Sequence, residues 1–558
     1  MFEQLKDALG ISEHNKFWKR YEKGIEYINR KGLITQTNRN WNFFIGNQWE
    51  GVKVADNIEL PCVNIIKKIV KHKVATISQN NMVAHYSDTD GREDLNELYA
   101  KCDILFSEAW EMANEDLEMW STIKEAAITG DGVQYFPDSD FRKMQRLNNT
   151  SVLYGDESEP DIQKQPYIIV HQRLMVNDVR NEARENGLSE EEVAKIVPDR
   201  DIEWTLGNKS EVDEDGDSPT SKVTCVLHFE KKEGVLYVAK ATKTAVYEPE
   251  HPVSAHNELG ETRNMTMYPF IKMSWEDFPN SARGVSDVAQ MIPNQIEINK
   301  TFARRSAIIR LMAFPRIAYD STLIANPEAL QTVGTPIEVT SGGVESVGQA
   351  ITFLSPAQIS SEPQNYSGEL LDITQELSGA GETASGNIDP TRVAASAIIE
   401  IKDQAALPLK EQVAKVQTFV ENFAALTLEI KSVFEPDGFI VQKEDVDINT
   451  GQTKTVQEKI TKDELDMLKP KIRIDTSQDT VWAKETEQNQ LKEMLQSRYI
   501  TFDEYIMALP EHSNIPKGKL EKILERRREL EAIRPVDDIE SAEAQWEAQD
   551  DNTEQAMQ

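Results

Sequence analysis

The sequence predicts an α+β protein of several domains, with long helices predominating and small strand-rich segments between them. Three observations carry this. Apolar residues recur every three or four positions over long stretches, the period of one helical face. Short β-branched runs punctuated by Gly, Pro, Asn and Asp alternate with those stretches. The chain has 558 residues, which at roughly 100 to 200 residues per domain implies about three to five domains.

Residues 1–50 read as helical. Phe17, Tyr21, Ile25 and Ile28 share a face, and the segment closes on Trp41, Phe43, Phe44 and Trp49, an aromatic cluster whose plainest use is packing. A second helix, VNIIKKIVKHKVATI, places Ile65, Ile66, Val70, Val74 and Ile77 on one face. It sets Lys67, Lys68, Lys71 and Lys73 toward the other, a solvated face that in an assembly could also meet an acidic neighbour. A longer helix is expected over 91–128, through Leu95, Leu98, Ile104, Leu105 and Met112, before a hairpin-like turn at Gly130-Asp131-Gly132. Strands follow at YIIVHQRLMV and KVTCVLHFEKKEGVLYVAKATKTAVY, the latter folded back at Lys232-Glu233-Gly234. Between them Ser189 and Glu192 fit a capping box, and EVDEDGDSPTS reads as an exposed acidic loop.

From 281 the pattern changes. SARGVSDVAQMIPNQIEINKTFARRSAIIRLMA carries Val285, Val288, Ile292, Ile296, Phe302, Ser306 and Ile309 at helical spacing, with Pro293 expected to kink or restart the helix. From Gly284 to Met312 a continuous helix would measure roughly 40 Å. Phe314-Pro315 ends it, and 313–360 reads as a small α/β insert rich in turn residues. Helical character returns at SEPQNYSGELLDITQELSG, begun by Ser361 or Pro363 and closed by Gly379. GAGETASGNIDPTRVAAS then reads as a loop of small and polar residues. Val393 to Phe434 is a further helix, broken at Pro408, whose stripe Val413, Val416, Val420, Phe423, Leu426, Ile430 and Val433 should face a sheet. Beyond it, EDVDINTGQTKTVQEKI turns at Asn449-Thr450-Gly451, KIRIDTS is a strand, and 484–530 is helical with a capping box at Thr501 and Glu504. The residues after Arg534 include eight acidic and no basic side chains, the composition of a disordered or loosely helical tail.

Long helix, small α/β insert, second helix, small-residue loop and kinked helix, in that order, resemble the stem, clip, stem, tunnel loop and wing helix of the portal proteins of tailed bacteriophages. The strings WNFFIGNQW, AAITGDGVQYF, YPFIKMSW, ARGVSDVAQMIPNQIEINK and SGNIDPTRVAASAIIEIKDQA agree with this, and the resemblance spans about residues 40–530. It implies a portal fold with a mainly helical wing over 1–280, helices first and then a β-rich part. Stem helices over 281–312 and 361–378 flank a small α/β clip over 313–360. A tunnel loop over 379–395, more wing over 396–480, a helical crown over 481–535 and an acidic tail over 536–558 complete the layout. It also implies a homo-oligomeric ring, usually of twelve subunits in this family, at one capsid vertex of the virion and assembled in the host cytoplasm. Double-stranded DNA would pass through without sequence specificity. The terminase large subunit, head-completion, adaptor or tail proteins, and the major capsid and scaffolding proteins are the implied partners.

In that arrangement Gly381, Gly386, Asp389 and Arg392 of the tunnel loop are the candidates for lining the channel. Gly381 and Gly386 permit backbone change, Asp389 precedes the stiffening Pro390, and Arg392 is the nearby cation that could meet phosphate or pair with Asp389. Residues 281–312 hold five basic and two acidic side chains, whereas 361–378 hold four acidic and none basic. Arg304, Arg305 and Arg310 are therefore expected to face acidic residues of the other stem helix or of a neighbouring subunit.

Composition bounds the alternatives. A formal charge of −34 excludes a general phosphate-binding surface yet suits a wall past which DNA slides. No run reaches the 18 or so apolar residues of a membrane span, and MFEQLKDALG lacks the features of a secretory signal, so neither membrane nor secretion is expected. Cys62, Cys102 and Cys225 read as buried thiols. Gly343 and Gly348 have phosphate-loop spacing, but Gln349 and Ala350 stand where Lys and Ser or Thr are needed. Glu211, Asp213, Asp215 and Gly216 imitate a calcium loop, yet Lys222 occupies its twelfth position. His251 and His256 read as loop residues, and the histidines form no metal motif. No catalytic, cofactor or metal residue is assigned, and no enzyme is expected. The rival reading is an acidic helical scaffold or adaptor protein without a closed channel.

Overall fold

The computed structural model describes residues 13–50, 60–78, 80–88, 95–199, 221–256, 260–313, 316–331, 335–340, 351–354, 362–377, 407–446, 453–468 and 470–478, with isolated positions at 52, 92, 491–492, 494–495, 497, 499–500 and 505. The class is α+β, and among the described residues every strand pair is antiparallel.

The amino-terminal stretch breaks at Gly32 into α1 (Glu13–Arg30) and α2 (Leu33–Ile45); α3 (Ile65–Ile77) and β1 (Asn80–Asp88) follow. The stretch read as one helix over 91–128 is two, α4 (Asn96–Met112) and α5 (Glu115–Thr129), because Asn114 takes a left-handed φ of 53° between them. Gly130-Asp131-Gly132 does not turn a hairpin; it ends α5 and opens β2 (Asp131–Tyr135). Next come β3 (Gln145–Leu147), β4 (Val152–Tyr154), β5 (Tyr167–Met175), α6 (Val176–Glu185) and the single turn α7 (Glu190–Val193). Ser189 and Glu192 close the expected capping box at α7. Then β6 (Lys222–Lys232) and β7 (Val235–Ala241) form a hairpin, with Glu233 and Gly234 both at positive φ in its turn. After β8 (Val246–Pro252), β9 (Ser254–His256), β10 (Thr262–Asn264) and β11 (Phe270–Ser274), the chain enters α8 (Asp287–Ala313). His251 and His256 thus lie in β8 and β9 rather than in loops, since His251 pairs with Val238 of β7 and His256 with Thr262 of β10.

α8 holds 27 residues and runs through Pro293 without restarting. β12 (Arg316–Tyr319) pairs with β13 (Ile351–Leu354), and α9 (Glu362–Leu377) follows. The last described elements are α10 (Lys410–Phe434), β14 (Gly438–Val446), β15 (Thr453–Thr461), α11 (Lys462–Met467) and β16 (Pro470–Gln478). The stretches 379–395, 396–406, 343–350 and 536–558, the acidic loop after Lys209, the Asn449 turn and the Thr501–Glu504 box lie outside the described residues.

Two compact units are formed, Met1–Ser78 with Trp110–Phe434, and Gln79–Ala109 with Glu435–Gln558. The first is built on a five-stranded sheet ordered β4-β5-β6-β7-β8. Side chains alternate across it, so Val226 and Ile169 meet Tyr21 and Ile28 of α1 on one face, while Val223 and Cys225 meet Val176, Val179 and Val193 on the other. Each such buried aliphatic stabilises by about 1.5–3 kcal/mol. A second sheet, β11-β2-β3, buries all five residues of β2 and packs against α5 and α10. The α10 stripe from Val416 through Val420, Phe423, Leu426, Ile430 and Val433 is buried, facing a sheet as its period requires, and Phe423 meets Trp110 and Phe136 edge-on. Cys102 and Cys225 are buried, which pushes both thiols up to about 12, but Cys62 is exposed.

In the second unit β1 pairs with β16 over nine residues, from Asn80↔Gln478 to Asp88↔Pro470. β14 and β15 form a hairpin, and Thr461 with Glu464 makes a capping box at α11 that the sequence reading passed over.

Candidate functional site: the root of a helix pair

The longest described helix, α8, is fixed at its root by buried polar groups drawn from widely separated parts of the first unit. Immediately before it, Arg283 donates from Nε and Nη2 to the two carboxylate oxygens of Glu157 at 2.9 and 2.8 Å. It also donates to the carbonyls of Asn149 at 2.5 Å and Val152 at 2.8 Å, and its guanidinium lies 4.5 Å from the Tyr154 ring centre. Burial works against this charge, yet the Glu157 carboxylate outweighs it and holds the guanidinium firmly protonated. A fork with five fixed donors suits this position, whereas a lysine could serve only part of it.

Gly284 follows, its N–H donated to Asp131 Oδ1 at 2.9 Å, an oxygen that also accepts from Ser274 Oγ at 2.9 Å. Gly130 and Gly284 touch so closely that a methyl on either would collide with the other's carbonyl. Ser286 Oγ donates to Ile128 O at 2.6 Å and accepts from Asn40 Nδ2 at 3.0 Å and from Ala289 N at 3.2 Å, capping α8 while tying it to α2 and α5. Asp287, in the first turn, receives Lys73 Nζ at 2.8 and 3.0 Å, with the two side chains 9% and 10% exposed. Lys73 is therefore not on a solvated face: α3 lies against α8, and the lysine reaches inward to the acid waiting there.

Two turns further on, Gln295 donates to Val63 O at 2.7 Å and accepts from Ile65 N at 3.1 Å. Asn299, one turn beyond, donates to Gln48 at 2.5 Å and accepts from Val63 N at 3.4 Å. The i, i+4 pair thus supplies side-chain partners to the backbone of Val63 and of the buried Ile65 at the start of α3. α8 and α9 lie side by side, and Asn294 Nδ2, next to Gln295 in sequence, donates to the buried Thr374 Oγ1 at 3.2 Å. Their intervening segment holds the β12–β13 pair, a 3-10 turn over Pro327–Gln331 and an Ile324–Val339 bridge.

Of the residues singled out from sequence, Arg304 is 69% exposed and lies 3.5 Å from Glu297 of its own helix. Arg305 is half-buried and Arg310 exposed. Gly381, Gly386, Asp389 and Arg392 lie outside the described residues. The residues that sequence reasoning missed are Asn40, Lys73, Asp131, Arg283, Gln295 and Asn299. For Gln295 and Asn299 the signal was polar residues recurring on the apolar face of 286–299, which reads as an imperfect helix until the backbone partners are known; Asn40, Lys73, Asp131 and Arg283 carry no such local sign.

Two titratable groups elsewhere in this unit stand out. Glu115, fully buried, accepts from Gln134 Nε2 at 3.0 Å, and burial pushes its carboxyl up to about 8, while burial pushes that of Glu125 up to about 7. His228, Glu230 and Glu250 bring ligand atoms within 4.8 Å of one another. Cations already take these places: Lys16 and Arg20 lie 3.2 and 3.1 Å from Glu230, and Lys232 2.6 Å from Glu250. Arg20 Nη1 also sits 2.8 Å from His228 Nε2. Burial and this guanidinium bring the imidazole down to about 3. The cluster is an ion-pair network tying α1 to the sheet. No helix among the described residues is long and apolar enough to cross a membrane.

No protein-family model and no curated protein matches the chain. Among solved structures it is similar to a chain of the virion of a native gene transfer agent particle, at 11% identity and a TM-score of 0.37 over 85% of this chain and 93% of that one. A chain from the neck of an empty gene transfer agent particle is similar at 11% identity and a TM-score of 0.35, over 79% and 88%.

Proposed function

We propose that the chain is a portal protein. It forms a ring of identical subunits, twelve in the family it resembles, at one vertex of the capsid of a tailed bacteriophage. Double-stranded DNA is packaged and ejected through the axial channel, the terminase docks during packaging, and adaptor or tail proteins follow. One observation carries the reading: a long helix and a second helix packed on it enclose a small two-stranded insert, and the root of the pair is clamped to the body by buried ion pairs and hydrogen bonds. A rod anchored this way transmits force without bending at its base, as a channel wall beside a translocation motor must. In this reading function is geometry and the chain performs no catalysis. In it, Arg304, Arg305 and Arg310 meet acidic residues of the other stem helix or of a neighbouring subunit, and 379–395 lines the narrow part of the channel. The strong net negative charge keeps DNA from adhering.

Negative-stain images of the purified full chain test this. A ring with an axial hole is expected; compact or elongated particles without a hole would replace the portal with the acidic scaffold or adaptor.

A further inference from the structure

Two helices that pack on α8 at one height carry opposite and unrelieved charge. α3 runs antiparallel beside α8, with Ile65 N meeting Gln295 at 3.1 Å and Lys73 meeting Asp287 at 2.8 Å. Its outer face bears Lys67, Lys68 and Lys71, all exposed, and no acidic residue occurs from 60 to 87. Among the described residues none of the three lysines has an ion-pair partner. Their field is felt locally: burial, then Lys68 and Lys73, bring the half-buried His72 imidazole down. In a chain of formal charge −34, such a stripe is the exception, and its chemistry fits an anionic partner.

α9 is its counterpart. Held to α8 by the bond from Asn294 to Thr374 at 3.2 Å, it turns Glu369, Asp372 and Glu376 outward, all exposed and without an ion-pair partner among the described residues. Tyr366 and Ile373 on the same stripe are 48% and 41% exposed. Asn294 and Gln295 are successive residues, pointing about 100° apart round the axis of α8, so α3 and α9 lie on different sides of one rod at one height. The lysines follow Ile65 by two to six residues and the acids lie two to five from Thr374, which keeps both patches within about 9 Å of that height. Patches at one height on two sides of a rod meet when copies are turned about an axis along it, with no rise from copy to copy. That is the condition for a head-to-tail contact to close into a ring.

We propose that the Lys67–Lys71 face of α3 in one copy docks against the Glu369–Glu376 face of α9 in the next. Lys67 and Lys71 are one helical turn apart, as are Asp372 and Glu376, so adjacent helices pair both at once. The aliphatic stems of the lysines cover Tyr366 and Ile373 as they do so. A nucleic-acid backbone would fit the lysines yet leave the acids and the two apolar side chains of α9 uncovered; a second copy of this chain covers both faces. The contact rests on the ring of the portal reading and makes no claim about DNA.

Full-length chains test it in native mass spectrometry at low salt, with circular dichroism establishing that each is folded. Lys67→Glu, Lys68→Glu and Lys71→Glu together set acid against acid at every contact; Glu369→Lys, Asp372→Lys and Glu376→Lys together set base against base. Each triple variant is expected to raise the concentration needed for half assembly by about tenfold or more. The chain carrying all six changes restores opposite charges and should assemble as the unaltered chain does, as should the two triple variants mixed in equal amounts. A loss caused by misfolding would not be recovered by three further changes on another helix. If both triple variants assemble like the unaltered chain, or the six changes together fail to recover the loss, this contact is overturned while the ring stands. If the unaltered chain stays monomeric at micromolar concentration, the contact and the ring fall together.

Discussion

Lys73→Met isolates the contribution of the buried ion pair at the root of α8. It keeps most of the side-chain volume and removes the charge, leaving Asp287 at 9% side-chain exposure with no cation in contact. Breaking a buried pair from one side costs about 3–5 kcal/mol, because the remaining charge stays desolvated. Asp287 sits in the first turn of α8, where the helix dipole returns only about 0.3–1 kcal/mol, so a net loss of about 2–4 kcal/mol should concentrate at the root. The multi-domain chain has no single unfolding free energy, so the informative assay is local. Amide hydrogen exchange measured on peptides covering 287–299 should accelerate by roughly 30- to 1,000-fold, at 1.4 kcal/mol per decade. Lys73→Met with Asp287→Leu removes both charges and should recover most of that protection. Protection in 287–299 unchanged within about threefold for the single variant, or a double variant worse than the single, would refute the reasoning.

Glu115→Gln should act through pH. The carboxyl of Glu115, pushed up to about 8 by burial, binds a proton in the folded chain that the unfolded chain releases near pH 4.5. Its contribution is thus fully present below about pH 4.5 and is lost as pH rises through about 8. The variant should melt higher than the unaltered chain at pH 8.5 and equally at pH 4.5 in differential scanning fluorimetry; a pH-independent difference would show that burial of the charge is not the cause. Gly284→Ala should cost about 1–3 kcal/mol at the root of α8, since the new methyl meets the Gly130 carbonyl, read as roughly 5- to 140-fold faster amide exchange on peptides covering 284–299 at 1.4 kcal/mol per decade; unchanged exchange would show that the two backbones separate without penalty. Replacing Arg304, Arg305 and Arg310 together by alanine should lower ring yield and its salt sensitivity, and equal yields across a salt series would remove them from the stem contact. On the proposed portal reading, deleting residues 381–388 should leave rings intact while impairing DNA packaging in a reconstituted head, whereas normal packaging would withdraw the proposed channel role of Gly381, Gly386, Asp389 and Arg392.

What sequence periodicity could convey, it conveyed. The α10 stripe, the Ser189 capping box and the Glu233-Gly234 hairpin are local patterns, written within one helical turn or one strand pair, and the structure contains all three. The break at Asn114 was hidden because an asparagine in left-handed conformation leaves no glycine or proline as a sign. Lys73 was misplaced because its partner Asp287 lies 214 residues away, and a lysine on a helix flank looks solvated until that partner arrives. Gln295 and Asn299 looked like interruptions of an apolar face for the same reason: their partners are backbone groups at 63 and 65 and the side chain of Gln48, which no spacing rule connects to them. The pairing of β1 with β16 left no trace, since strand register between distant segments is decided by the fold rather than by either segment.

That last pairing has a consequence for synthesis. Pro470 leaves the ribosome about 380 residues after Asp88, which at roughly 5–20 residues per second is a delay on the order of 20–80 s. Throughout it, the alternating apolar face of β1, with Met82, Ala84 and Tyr86 buried in the finished protein, has no strand to pair with. The nascent chain therefore carries an open β-edge long enough for polysomal neighbours to meet it, and newly made chains should depend on a holdase until the carboxy-terminal quarter emerges.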